Sequence, residues 1–335
     1  MARPAKNLHI PMRGGVSPSS LALPSLRQPP WTTVLGALTD LLPRIPQAEW
    51  HARMANGQVM NDLGQPLSPD APYQKCLRVY YWRDMPQEQA IPFAHTVLFR
   101  DEHLLVADKP HFLPVTPGGR YVQETLLARL KHELNLPELS PLHRLDRETA
   151  GVVAFCLRPQ DRDAYQRLFR DRQVHKVYEA MAAMATQPTL PDAPQPLVHA
   201  TAKAMAHLLT RRSHIRENPA QFFRMEEAPD AEGLPPNSET HIALLSTREG
   251  YGHFRLTPVT GKRHQLRVHM AALGWPLVGD QFYPDVLRQP GDLEDFAQPL
   301  QLLARQLAFE DPVTGQPRCF ESRLALNWPA TNRMA

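Results

Sequence analysis

Proline occupies 35 of the 335 positions, and no other feature limits the possible folds so tightly. It has a fixed φ and no backbone N–H, so it breaks helix interiors and is confined to the edges, ends and bulges of sheets. A chain interrupted this often is built from short elements and many connections. Residues 1–30, rich in Pro, Ser and Arg, show no sustained period and read as an arm, mobile unless a partner orders it. Eight prolines fall in 186–240, which reads as surface loop around a few short strands.

Between the prolines, hydrophobic spacing assigns the elements. Val34, Leu35, Leu38, Leu41 and Leu42 recur at helical spacing until Pro43 stops them. Asn56-Gly57 marks a turn, with short strands expected at 58–61 and 77–82 in a small β-containing unit over 50–84. A linker is expected at 85–89. Beyond it, strands are expected at 96–99, 104–108, 152–157, 174–184, 240–246 and 252–258. Helices are expected at 125–134, 161–172 and 263–273. Strands outnumber helices and follow one another at hairpin distances. The expected class is therefore α+β, with a mixed, mostly antiparallel central sheet flanked by helices and loops. Three divisions follow: a Pro-rich arm at 1–30, a small domain at 31–90 and a larger domain at 91–330.

Composition excludes several classes. There is no apolar run long enough for a membrane helix and no secretory h-region behind the N-terminus. The cysteines, Cys76, Cys156 and Cys319, are too dispersed for a disulfide framework or a metal knuckle, which points to a reducing cytoplasm. The net charge is only +3, yet seven of the 37 basic residues are lysine and the other 30 arginine. Arginine forks onto phosphate and stacks on bases in ways lysine cannot. Genomic base composition is the plainer reading of that excess.

Three segments concentrate polar side chains. In His143-Arg144-Leu145-Asp146-Arg147-Glu148-Thr149, Asp146 lies between two guanidinium groups that favour its anion. A structural Arg–Asp pair capping the next strand is the plainer reading. In His175-Lys176-Val177-Tyr178, Lys176 and Tyr178 share one strand face, and packing alone would account for the tyrosine. In Thr260-Gly261-Lys262-Arg263-His264-Gln265-Leu266-Arg267-Val268-His269, Arg263 and Arg267 are one helical turn apart and should share a face. A solvated basic helix is the plainer reading there. The phosphate-binding Gly-x4-Gly-Lys pattern and the His-Glu-x-x-His zinc pattern are both absent, and the spacing of His264 and His269 does not suit two ligands on one helical face.

In order and wording these segments resemble the RluA-type pseudouridine synthases. The resemblance rests on His143-Arg144-Leu145-Asp146-x-x-Thr149-x-Gly151, Lys176-x-Tyr178-x-Ala180, Thr260-Gly261-Lys262-x-His264-Gln265-Leu266-Arg267-Val268-His269, and Gly274-x-Pro276-Leu277-x-Gly279-Asp280-x-x-Tyr283. Asp108-Lys109-Pro110 resembles the family's opening motif, and the likeness runs from about residue 93 to 328. Ala150 replaces the usual serine, Lys262-Arg263 replaces Arg-Thr, and Leu302-Leu303-Ala304 replaces Leu-His-Ala, which removes a histidine from behind the site.

The resemblance implies the pseudouridine synthase fold and isomerisation of uridine to pseudouridine in ribosomal (large-subunit) or transfer RNA. It implies no cofactor and no metal, a monomer and no membrane partner. Carried over residue by residue, Asp146 is the essential carboxylate, Arg267 pairs with it, and Tyr178 stacks on the target base. Arg144, Arg147, Lys176, Lys262, Arg263 and His264 are the expected RNA contacts. Residues 31–84 resemble the small RNA-binding domain named after a small-subunit ribosomal protein, through Arg53, Asn56-Gly57-Gln58-Val59 and Asn61. Two other readings compete. One is an RNA-binding protein of the same fold without catalysis, which would lack Asp146, Tyr178 or Arg267. The other is a nucleoside hydrolase, which would need a pair of catalytic carboxylates; Glu148 is the sole neighbour of Asp146 for that role.

Overall fold

The computed structural model describes residues 10–82, 88–184, 209–289, 292 and 295–329. The linker expected at 85–89 and the first part of the 186–240 stretch lie largely outside them. The chain divides into two compact units, one of residues 1–88, 117–123 and 128–137, the other of 89–116, 124–127 and 138–335.

In the first unit, β1 (Ser19–Ala22), α1 (Val34–Leu41), α2 (Gln47–Ala55), β2 (Val59–Met60) and β3 (Arg78–Tyr81) follow in order. The strands form an antiparallel sheet, β1-β3-β2. Thr33 caps α1 by accepting from the Gly36 N–H at 3.2 Å, as short polar residues do at helix starts. Val34, Leu38, Trp50, Met54, Val59 and Val79 meet in one core. Two expectations change here. The arm at 1–30 contains a paired strand, because Leu21 and Leu23, two residues apart, reach that core. The stretch read as β-containing begins inside α2, whose Trp50 and Met54 sit one turn apart on its buried face. Arg53 is buried as well; it donates to the Trp82 carbonyl at 2.9 Å and pairs with Glu49 at 2.5 Å.

The second unit holds β4 (Thr96–Arg100), β5 (Leu104–Lys109), β6 (Ser140–Pro141), β7 (Ala150–Cys156), α4 (Arg162–Arg170), β8 (His175–Ala183), β9 (Leu209–Ser213), β10 (Ile215–Glu217), β11 (Met225–Glu227), β12 (Ser238–Arg248), β13 (Tyr251–Pro258), α5 (Gln265–Ala272), β14 (Leu302–Glu310) and β15 (Pro317–Glu321). The helix α3 (Leu126–Glu133) spans residues of both units. The main sheet runs β4-β5-β7-β14-β8-β13-β12-β9, with β6 on β7 and β15 on β14. The described end of the 186–240 stretch holds three short strands, β9, β10 and β11, and the start of β12, joined by loops and turns. β10 and β11 form a separate hairpin.

Every pairing in the main sheet is antiparallel except β7 with β14. β14 enters between β7 and β8 and joins the two halves of the sheet. One half packs against Tyr165 and Leu168 of α4, the other against Leu266 and Met270 of α5. Amphipathic helices laid on a sheet bury both apolar faces at once.

At the parallel joint, Gly151 and Tyr178 both pair with Ala304, from opposite sides. Gly151 has φ +116°, and a Cβ there would lie 2.3 Å from the Ala304 carbonyl oxygen. Only glycine satisfies both the conformation and the approach. Gly151→Ala is expected to lower stability by about 2 kcal/mol or more, read from urea denaturation.

Candidate active site

Asp146 lies in a turn closed by the Thr149 N–H donating to its carbonyl at 3.2 Å, immediately before β7. Two neighbours hold that turn. His143 accepts the Ala154 N–H on Nε2 at 3.1 Å and stacks on Phe169 of α4 at 4.8 Å. Burial, then the Lys176 charge, push its pKa down to about 3, so it is a neutral link. Lys109, at the end of β5, is wholly buried. Its ammonium donates to the carbonyls of Pro110, Leu113 and Arg147 at 2.8–3.0 Å, which fastens the acidic turn to the neighbouring strand.

Arg267 reaches the same place from α5. Its side chain is 1% exposed, which overturns the solvated-helix reading. It also does not share a face with Arg263. His264 takes a left-handed conformation, φ 54°, so the helix starts at Gln265 and Arg263 is left outside it on the surface. The rest of the segment is a polar knot. Gln265 accepts from Thr260 Oγ1 and the Lys262 N–H, and donates to the Glu239 carbonyl and Thr240 Oγ1. His269, buried, engages Thr240 through Nδ1 and Ser213 and Ser238 through Nε2. Burial lowers its pKa to about 4, so it too is neutral.

The guanidinium of Arg267 is divided between two tasks. Nε and Nη2 donate to the two carboxylate oxygens of Asp280 at 2.8 and 2.7 Å. Nη1 has no hydrogen-bond partner and stands 3.7 Å from both Asp146 Oδ2 and Glu148 Oε2. Asp280 also accepts the Phe282 and Tyr283 N–H groups, and Arg267 lies over both rings, 5.3 and 5.2 Å from their centres. Burial opposes the charge on Arg267, but Asp280 and the two further carboxylates hold its pKa above the ordinary value.

Glu148 is engaged differently from Asp146. Its Oε1 accepts from Arg147 Nε and Nη2 at 3.1 and 2.7 Å. Burial works against its charge, yet Arg147 and Arg267 bring its pKa down to about 2. Arg147 thus turns inward to Glu148, whereas Arg144 is exposed. Tyr178 is half-buried on β8. Burial, then the Asp146 charge, push its phenol well above the ordinary range, so it presents a neutral ring and an intact O–H.

An open cleft of about 1040 Å³ collects these groups. All nine residues singled out from the sequence line it: Asp146, Tyr178, Arg267, Arg144, Arg147, Lys176, Lys262, Arg263 and His264. Phe169, Arg170, Arg172, Phe222 and Phe223 extend its walls. Among the described residues no cluster of three His, Cys, Asp or Glu side chains is placed to hold a metal ion, and no helix is long and apolar enough to cross a membrane. Sequence reasoning quoted Asp280 within a motif without giving it a task, and found no task for Lys109. A buried salt-bridge partner is signalled only by an acid in an otherwise apolar Gly/Pro-rich stretch.

A sheet of this topology with an acid and a buried arginine facing each other in an arginine-rimmed cleft defines a protein of the pseudouridine synthase fold. The chain aligns with the solved structure of human RNA Pseudouridylate Synthase Domain Containing 1 at a TM-score of 0.51 and 23% identity, over 70% of this chain and 86% of that one. The RNA pseudouridylate synthase family model matches residues 103–272. An uncharacterised RNA pseudouridine synthase of Synechocystis is 30% identical over 234 residues, covering 70% of this chain and 73% of the relative. The dual-specificity RNA pseudouridine synthase RluA of Vibrio vulnificus is 32% identical over 64% of this chain and 78% of its own length. The mitochondrial pseudouridylate synthase RPUSD4 of Rattus norvegicus is 32% identical, over 73% and 69%. The chain belongs to the RNA pseudouridine synthases of the RluA type.

Two outcomes follow from the geometry. Asp280→Ala leaves a buried guanidinium without its bidentate partner and should cost about 3–5 kcal/mol in chemical denaturation. Glu148 has its pKa lowered from 4.5 to about 2, so its carboxylate stabilises the fold above 4.5 and loses that contribution as pH falls through 2. Thermal melts between those values should fall more steeply for the wild type than for Glu148→Gln.

Proposed function

We propose that this enzyme isomerises particular uridines in folded ribosomal or transfer RNA, with Asp146 acting on the sugar of the target nucleotide and no cofactor taking part. The observation that carries the reading is the 3.7 Å approach of Asp146 to the one nitrogen of Arg267 that has no hydrogen-bond partner. A charge held in place by a buried partner is oriented before substrate arrives, and preorganisation of that kind lowers the barrier to a charge-separating step. In the reaction the bond from C1′ to N1 breaks, the uracil turns, and C5 bonds to C1′. The proton leaves C5 and N1 regains one, so nothing is consumed.

The target uridine has to leave its stack to meet Asp146. Tyr178 offers a neutral ring for the extruded base. The exposed side chains of Arg144, Lys262 and Arg263 suit the phosphates on either side, with Lys176 and His264 deeper in the same cleft. Arg147 acts through Glu148 rather than on RNA. The dual specificity named for the Vibrio relative supports a site that accepts more than one RNA context. The free cysteines, Cys76, Cys156 and Cys319, support a reducing compartment such as the cytoplasm.

The hydrolase reading lacks its second group. A glycosidase acid needs a raised pKa to donate a proton near neutrality, and Glu148 is held near 2. The binding-only reading would need an incomplete set of Asp146, Tyr178 and Arg267, and the set is complete.

Asp146→Asn should reduce pseudouridine formation by about 10³-fold or more while RNA binding persists. The check is pseudouridine mapping of RNA from cells that lack the gene, after treatment with the purified protein. Formation at the wild-type rate by Asp146→Asn would overturn the mechanism.

A further inference from the structure

The turn between β10 and β11 carries Phe222 at the wall of the cleft, a residue 76% exposed. A single exposed apolar residue is ordinarily unremarkable. This one is held in position. Asn218 Oδ1 accepts the Ala220 and Gln221 N–H groups at 3.0 and 2.8 Å, and the Arg224 N–H donates to the Gln221 carbonyl at 2.8 Å. Arg263 Nη2 donates to the carbonyl of Phe222 itself at 2.8 Å. The backbone that presents the ring is therefore tied from both sides.

Behind Phe222 the rings continue inward. Its centre is 5.7 Å from that of Phe223, which is 5.3 Å from Phe282. Phe282 lies under the Arg267 guanidinium and nearly parallel to His264, at 15°. A row of rings, edge-to-face at Phe222–Phe223 and tilted at Phe223–Phe282, thus runs from the arginine beside Asp146 to the rim, and its outermost member is exposed next to exposed Arg263.

We propose that Phe222 is a stacking platform for a second, unpaired nucleobase of the RNA, one that flanks the target uridine; this rests on the function proposed above. Ring faces bind bases of any identity, and basic side chains beside them hold the backbone that links those bases. Phe222 and Arg263 provide that combination within one cleft wall. The pair also binds the hairpin to the segment that leads into α5, so the platform is fixed relative to Arg267. The consequence concerns substrate choice. The enzyme favours uridines whose neighbour is free to unstack, in loops and bulges, over uridines inside continuous helices.

The test uses single-turnover pseudouridine formation in total RNA from cells lacking the gene, at increasing concentrations of full-length enzyme. Phe222→Ala should raise the half-saturating enzyme concentration about tenfold with the plateau rate unchanged. Phe222→Trp, which keeps a ring, should stay near wild type. Phe222→Leu, apolar without a ring, should behave like the alanine variant. The salt dependence of half-saturation should keep its slope in Phe222→Ala, since no charge is lost, and become shallower in Arg263→Ala. Product from the wild type together with unchanged half-saturation in Phe222→Ala, or full rescue by leucine, overturns the platform alone. No product from the wild type overturns the proposed function, and the platform with it.

Discussion

Arg267 carries a full charge on a side chain that is almost entirely buried at the wall of the cleft, and it is tolerable there because Asp280 takes two of its nitrogens. Buried ion pairs seldom add stability beyond what apolar packing would give, and their loss on one side is severe. The value of this pair lies in direction. With Nε and Nη2 committed to Asp280, the guanidinium plane cannot turn and Nη1 faces the acidic turn. Asp280 meanwhile gathers the backbone of Phe282 and Tyr283. The Tyr283 hydroxyl in turn meets the Met225 backbone and His264 Nδ1. One carboxylate therefore sets the helix, the loop after it and the edge of the β10–β11 hairpin in a common frame.

The acid and its arginine come from opposite halves of the sheet. Asp146 precedes β7; Tyr178, Arg267 and Asp280 belong to the half that contains β8 and β13. β14 is the element between them, and at Ala304 it pairs on both sides at once. The close approach at Gly151 is the steric condition for that junction. Leu303 is wholly buried between the same two strands, so the junction is made with apolar packing.

Much of this was legible in the residues. Alternation and short apolar runs place six of the twelve described strands of the larger unit, β4, β5, β7, β8, β12 and β13, to within a residue or two; β5 and β7 are buried along their whole length and show as continuous apolar runs, while β14, which joins the half-sheets, escapes the reading. The polar segments converged because each sits at an element end that the sheet topology brings together. What escaped the reading did so for physical reasons. α2 has only two deeply buried apolar residues among charged ones, and Asn56-Gly57 drew attention to a turn instead. The helical spacing of Arg263 and Arg267 misled because a left-handed residue, His264, delays the helix by two positions. The inward turn of Arg147 depends on Glu148 being buried, and no local pattern announces that. The partner of Arg267 was the hardest to see, since a single acid thirteen residues away is defined only by the folded loop.

The order of the strands has a bearing on how the protein comes into being. Synthesis proceeds from the N-terminus, and β7 and β8 leave the ribosome long before β14, which starts at Leu302. Until then the two half-sheets have no strand between them, and each exposes an unpaired edge of the kind that invites association with other chains. β14 thus closes the framework that the cleft residues share. Such late, long-range closure is slow compared with local hairpin formation, so the growing chain passes through an interval in which every residue of the candidate site exists and the cleft that gathers them does not.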